Sequence, residues 1–154
     1  MYKITIQNES QEPLKLEIIE SALAHVLKAH ALPQGEVSVL ISDNQKLREL
    51  NSQFRNIDEP TDVLTFPAPL TAQGQIGDIA VSIDFARRAA ALRSVPIENE
   101  TAMLVVHAAL HLAGFDDQTV EERQQIVKIM NEHAELLGLE TDENWSSLPH
   151  GEEV

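Results

Sequence analysis

Apolar and polar residues alternate at the start of the chain. Tyr2, Ile4 and Ile6 are interleaved with Lys3, Thr5 and Gln7, the period-two pattern of a strand with one buried face. From Pro13 the spacing lengthens: Leu16, Ile19, Leu23, Val26 and Leu27 recur every three or four residues, which predicts an amphipathic helix entered through proline. Leu32-Pro33-Gln34-Gly35 breaks that period, and Val37, Val39 and Ile41 return to the strand pattern. Ser42-Asp43 offers a cap for a helix running to about Phe54. Asn56 to Pro60 reads as a loop, Asp62 to Phe66 as an apolar, β-branched run, and Pro67, Pro69 and Gly74 as another loop. Ile76 to Ile83 reads as a strand and Asp84 to Arg93 as an alanine-rich helix.

The next helix, restarted by Val95-Pro96, is apolar almost all round from Ala102 to Ala113, which predicts that it is buried. Gly114 is placed to end it in the left-handed conformation. Thr119 with Glu122 three residues on forms a capping box for a last helix, whose inner face is Ile126, Ile129, Met130, His133 and Leu137. Residues 141–154 are polar and acidic and are expected to form a flexible tail. About four strands and five helices in mixed order predict an α/β (mixed α+β) class. One small mixed sheet is packed by helices, in a single metallohydrolase-like domain over residues 1–140.

Composition sharpens this picture. A chain of 154 residues suits one domain, and 43% hydrophobic with 23% charged residues suits a globular one. No apolar run approaches the roughly 18 residues of a membrane span, and Met1-Tyr2-Lys3-Ile4-Thr5 lacks a secretory core, so a cytoplasmic protein without membrane partners is expected. The absence of cysteine excludes disulfides, thiolate nucleophiles and thiolate metal sites. Any metal must be held by nitrogen and oxygen. The net charge of −14 weighs against nucleic-acid binding. Its distribution softens that: residues 1–97 carry 9 basic and 12 acidic side chains, whereas residues 98–154 carry 2 and 13. The front of the chain retains the means for a local positive face.

Candidate chemistry concentrates between His107 and Asp117. Histidines four apart share one helix face, so His107 and His111 can converge on one ion. Gly114 lets the chain turn and return Asp117 to the open side of the pair. Two imidazole nitrogens and one carboxylate oxygen, with a fourth position left open, make a catalytic type of zinc shell. Zinc peptidases place a glutamate after the first histidine as general base; here that position is Ala108. The remaining histidines, His25, His30, His133 and His150, have no ligand-like spacing and read as surface or core-edge residues. The aromatics read as too few and scattered for a base-stacking platform.

Three blocks make the chain resemble the YbeY family of bacterial rRNA maturation factors, regarded as metal-dependent, single-strand-specific endoribonucleases. They are Leu50 to Pro67, containing Phe54-Arg55 and Pro60-Thr61-Asp62-Val63-Leu64-Thr65-Phe66-Pro67; Gly77-Asp78-Ile79; and the histidine segment. The family pattern has tyrosine at 54, serine at 65 and glycine at 108. Its third metal-binding residue is a histidine where this chain has Asp117. The resemblance implies one divalent ion, zinc first, on His107, His111 and Asp117, with His107 and Arg55 catalytic and Arg55 a clamp on phosphate. It implies single-stranded RNA as substrate rather than DNA. The setting it implies is 16S rRNA 3′-end maturation and ribosome quality control, at the small subunit and its associated proteins. Asp78 and Asp116 would be supporting groups, and Arg87, Arg88 and Arg93 either extend a phosphate-binding surface or form a solvated helix face. Taken by itself, Arg55 reads as a helix-end arginine paired with Asp58 or Asp62. Two other functions stay open: a ribosome-associated assembly factor with a structural metal and little catalysis, and a metal-dependent hydrolase of a non-RNA substrate.

Overall fold

The computed structural model describes residues 2–69 and 71–146. In chain order the elements are β1 (Lys3–Asn8), α1 (Leu16–Ala29), β2 (Glu36–Ser42), α2 (Asn44–Arg55), β3 (Val63–Pro67), β4 (Gln75–Ser82), α3 (Ile83–Arg93), α4 (Ile97–Leu112) and α5 (Val120–Leu137). These are the strands and helices that the hydrophobic periods predict. The sheet order is β1-β2-β4-β3, with β1, β2 and β4 mutually parallel and β3 antiparallel to β4 at the edge. The class is therefore α/β with a mixed sheet.

The strand period assigns each side chain to a face. Val37, Val39, Ile41, Val63, Ile79 and Val81 point into the main core with α1, α4 and α5. Leu40, Leu64, Phe66 and Ala80 point the other way, onto Leu47 of α2. Thr5, Ser38, Asp78 and Phe66 lie in one register row across this second face.

Helix α4 runs through the middle of the main layer, against β3, β4, α1, α3 and α5. That explains its unbroken apolar surface: every residue from Asn99 to Leu110 is buried. Its C-terminus closes as the sequence predicts. The Phe115 N–H donates to Leu110 O (3.0 Å) and the Gly114 N–H to His111 O (3.0 Å), with Gly114 at φ 101°.

Close approach of α4 to the sheet depends on Gly77. A methyl group there would stand 2.7 Å from Phe66 O and 2.8 Å from Leu112 Cδ2. Leu112 can turn aside but a strand carbonyl cannot without breaking its ladder. Gly77→Ala should therefore destabilise the fold by about 1–3 kcal/mol, the usual range for overpacking. Urea unfolding checks this, and an unchanged midpoint would refute it.

One expectation is corrected here. Residues 141–146 do not form part of a loose tail. Trp145 is only 3% exposed and belongs to the main core. Asp142 forms an ion pair with Arg93 (3.3 Å), and its backbone is tied to Asn131 by two hydrogen bonds. A large aromatic side chain gains more from burial than the acidic residues around it lose. The remainder of the expected tail, 147–154, lies outside the described residues.

Candidate metal centre

His107 and His111 project from adjacent turns of α4, and the tight turn after Gly114 carries Asp117 back over them. His107 Nε2 and His111 Nε2 are 3.1 Å apart, and Asp117 Oδ2 lies 3.5 Å from the first and 3.3 Å from the second. Metal–ligand bonds of about 2.0–2.1 Å in a tetrahedral shell separate neighbouring donors by about 3.3–3.4 Å. The three atoms thus form a triangle of the size that one divalent ion spans, and the group could hold a metal.

The electrostatics suit that task. Burial pushes the His107 imidazole below its usual pKa, while the hydrogen bond to Asp117 raises that of His111. Hydrogen bonds from His107 and His111 hold the Asp117 carboxyl far below the ordinary carboxylate range. The carboxylate is thus ionised at any physiological pH. The Phe115 backbone also favours the protonated His111 ring, as a smaller contribution. His107 Nδ1, by contrast, is buried with no hydrogen-bond partner among the described residues. Its ring is held by packing on Trp145, at a centroid distance of 5.2 Å.

The triad forms one wall of a cleft of about 760 Å³, within the size range of small-ligand sites. Arg55 and Thr65 stand on the same cleft. Arg55 Nη2 donates to Thr65 O at 2.5 Å, so the side chain reaches from α2 to the edge strand. Its suggested partner Asp58 pairs instead with Arg48, at 2.7 Å.

The other candidates are placed elsewhere. Asp78 is exposed on the far face of the sheet, and Asp116 Oδ1 accepts from the Asp117 N–H (3.2 Å) rather than from an imidazole. Arg87 is paired with Glu12 and Asp84, Arg88 lies over Phe85, and Arg93 bridges Glu100 and Asp142.

Arg123 was missed. Its Nη1 donates to Asp117 O and Gln118 O, both at 3.2 Å, clamping the loop that presents Asp117. The signal was available: a cation in the first turn of α5 opposes the helix dipole and needs a local reason to be there.

Three of the histidines read as surface or core-edge residues lie at the core edge and come together. His25 Nε2 and His133 Nδ1 are 2.9 Å apart, and His30 Nε2 and His133 Nε2 are 2.8 Å apart. They face one another between α1 and α5, with Phe115 packed on His30 and Glu132 nearby. Burial lowers the pKa of His30 and of His133, and the neighbouring imidazoles lower both further. The unfolded chain therefore takes up protons at these sites before the folded one does. Their contribution to stability is complete above about pH 6.5 and is lost as pH falls below it. The melting temperature should drop between pH 7 and 5, and His133→Leu should flatten that slope. An equal slope in both proteins would refute the assignment. His150 lies outside the described residues.

No helix among the described residues is long and apolar enough to cross a membrane. A family model described as endoribonuclease YbeY matches residues 3–138. The endoribonuclease YbeY of Caldicellulosiruptor saccharolyticus is 36% identical, over 89% of this chain and 98% of that protein. That of Rhodopseudomonas palustris is 35% identical, over 86% and 81%. The solution structure of TM1509 from Thermotoga maritima superposes with a TM-score of 0.58 at 31% identity, covering 86% of this chain and 90% of that one. Sequence, fold and a metal-sized donor triangle agree: the chain belongs to the endoribonuclease YbeY family.

Proposed function

We propose that the protein is a metal-dependent endoribonuclease acting on single-stranded RNA, with His107, His111 and Asp117 as the ligands of one divalent ion and Arg55 as its phosphate clamp. The observation that carries this reading is the convergence of two Nε2 atoms and one carboxylate oxygen within 3.5 Å of one another on the cleft that Arg55 also lines. The nitrogen and oxygen donors and the open side of the triangle favour zinc. When bound, the ion supplies Lewis-acid polarisation of a phosphoryl oxygen and lowers the pKa of the attacking hydroxyl.

The chain's own groups supply the rest. The Arg55 guanidinium presents a planar fork that can bind two non-bridging phosphate oxygens and offset charge developing at phosphorus. Its bond to Thr65 O limits its swing, so the fork is partly oriented before substrate arrives. Asp117 contributes one negative charge, and the Arg123 clamp on its loop holds that charge in place. Ala108, where a zinc peptidase carries its glutamate base, argues against peptide hydrolysis. The biological setting that this activity fits is cytoplasmic 16S rRNA 3′-end maturation and ribosome quality control at the small subunit.

Arg55→Ala tests the reading against that of an assembly factor. The expected result is a loss of roughly 100- to 1,000-fold in RNA cleavage, the scale of removing one donor to a developing anion, with metal content unchanged. Cleavage at the parental rate would remove Arg55 from the mechanism. Parent protein that retains its metal but cuts no single-stranded RNA would favour the assembly role.

A further inference from the structure

Phe54 and Phe66 are twelve positions apart and look unrelated in the sequence, yet the structure pairs them. Their ring centroids are 5.3 Å apart at an interplanar angle of 61°, an edge-on contact. Phe66 is anchored beneath by Leu47, Leu64 and Ala80. Phe54 remains 60% exposed. The Arg55 guanidinium lies over the Phe66 ring, 5.6 Å from its centroid, while bonded to Thr65 O. An aromatic ring with open surface therefore sits beside Arg55, which together with Arg123 lines the cleft of His107, His111 and Asp117. Among the described residues, the other large exposed apolar side chains, Leu92, Val120 and Leu136, are aliphatic and have no ring surface on which a base could stack.

We propose that Phe54, braced by Phe66, is a stacking subsite for one unpaired nucleobase of the RNA whose phosphate is held by Arg55. The inference rests on the RNA-cleaving reading above and gives it a source of substrate selection. Every base has a π-face, so stacking there is tolerant of sequence. A base inside a duplex has both faces covered, so only a single strand can offer one to Phe54. The edge contact with Phe66 restricts the ring before the base arrives, which limits the ordering cost of binding. Arg55 is the hinge between the two functions, touching the platform on one side and the cleft on the other.

Phe54→Ala and Phe54→Tyr test this, assayed with a short single-stranded oligoribonucleotide bearing 2-aminopurine. Losing one stacking ring should raise KM about ten- to hundredfold, with most of the loss in KM rather than kcat. Phe54→Tyr should stay near the parent. Emission of 2-aminopurine should be quenched by the parent and by Phe54→Tyr, and not by Phe54→Ala. An oligonucleotide with abasic positions should bind the parent more weakly and discriminate no further against Phe54→Ala. Because the side chain is mostly exposed, both variants should stay folded, with Phe54→Ala unfolding only slightly earlier through loss of the edge contact with Phe66. Cleavage by Phe54→Ala at the parental KM with parental quenching overturns the subsite and leaves the nuclease reading standing. A parent that cuts no RNA overturns both, so the two failures are distinguishable.

Discussion

His107→Ala is expected to strip the protein of its divalent ion and to reduce RNA cleavage by at least about a thousandfold. Metal affinity falls because two protein donors remain of three; loss of an outer-sphere partner alone costs about 10–100-fold, and a direct ligand costs more. The rate falls because several kcal/mol of charge stabilisation disappear with the ion, at about 1.4 kcal/mol per decade. Elemental analysis of tag-free protein and a gel assay on single-stranded RNA read the two effects separately. His107 is buried, so its truncation also opens a small cavity. His111→Ala serves as the companion variant, because that side chain stands at the cleft surface with 24% exposure and its removal should spare the fold. If both variants kept their metal and their activity, the triangle of donors would have no catalytic meaning.

Trp145→Ala should be the most damaging substitution outside the triad, with a loss of about 3–5 kcal/mol in unfolding free energy. Three interactions vanish together. The indole Nε1–H donates to Glu100 Oε1 at 2.9 Å, the Arg93 guanidinium lies 5.7 Å from the indole ring centroid, and the His107 ring packs on the same residue. Glu100 is only 2% exposed, and burial pushes its pKa upward against the pull of Arg93 and Trp145. Removing the indole leaves a buried carboxyl short of a donor, which costs more than a surface bond would. Trp145→Phe isolates this effect: it keeps most of the packing and loses the hydrogen bond, so about 1–2 kcal/mol is expected. Chemical denaturation followed by circular dichroism measures both. A near-neutral Trp145→Ala would mean that residues 141–146 are not part of the folded body.

The two results bear on what could be read from the sequence. Signals confined to one or two helical turns were legible: the alternation in β1, the capping box at Thr119 and Glu122, the closing turn at Gly114. The spacing of His107, His111 and Asp117 belongs to the same class, because an i, i+4 pair followed by a glycine turn fixes a geometry almost without help from the rest of the chain. Features requiring distant segments to meet were not legible. Nothing local says that β4 inserts between β2 and β3, or that α1 and α5 bring His25, His30 and His133 within hydrogen-bond reach. Trp145 was hidden by its acidic neighbourhood, although a lone tryptophan in a polar stretch is itself a reason to expect burial. Phe54 and Phe66 looked scattered because their meeting depends on how α2 lies across β3.

Strand β3 ends the sheet, with β4 on one side only. A terminal strand of this kind presents main-chain groups that another copy could join, the first step toward polymerisation. Here the exposed stretch is only five residues, closes on Pro67, and has the Thr65 carbonyl already taken by Arg55. The guanidinium assigned to substrate thus also plugs a self-templating rim. With the phosphate-holding role proposed for Arg55, a substitution there would alter the sheet edge and the site together.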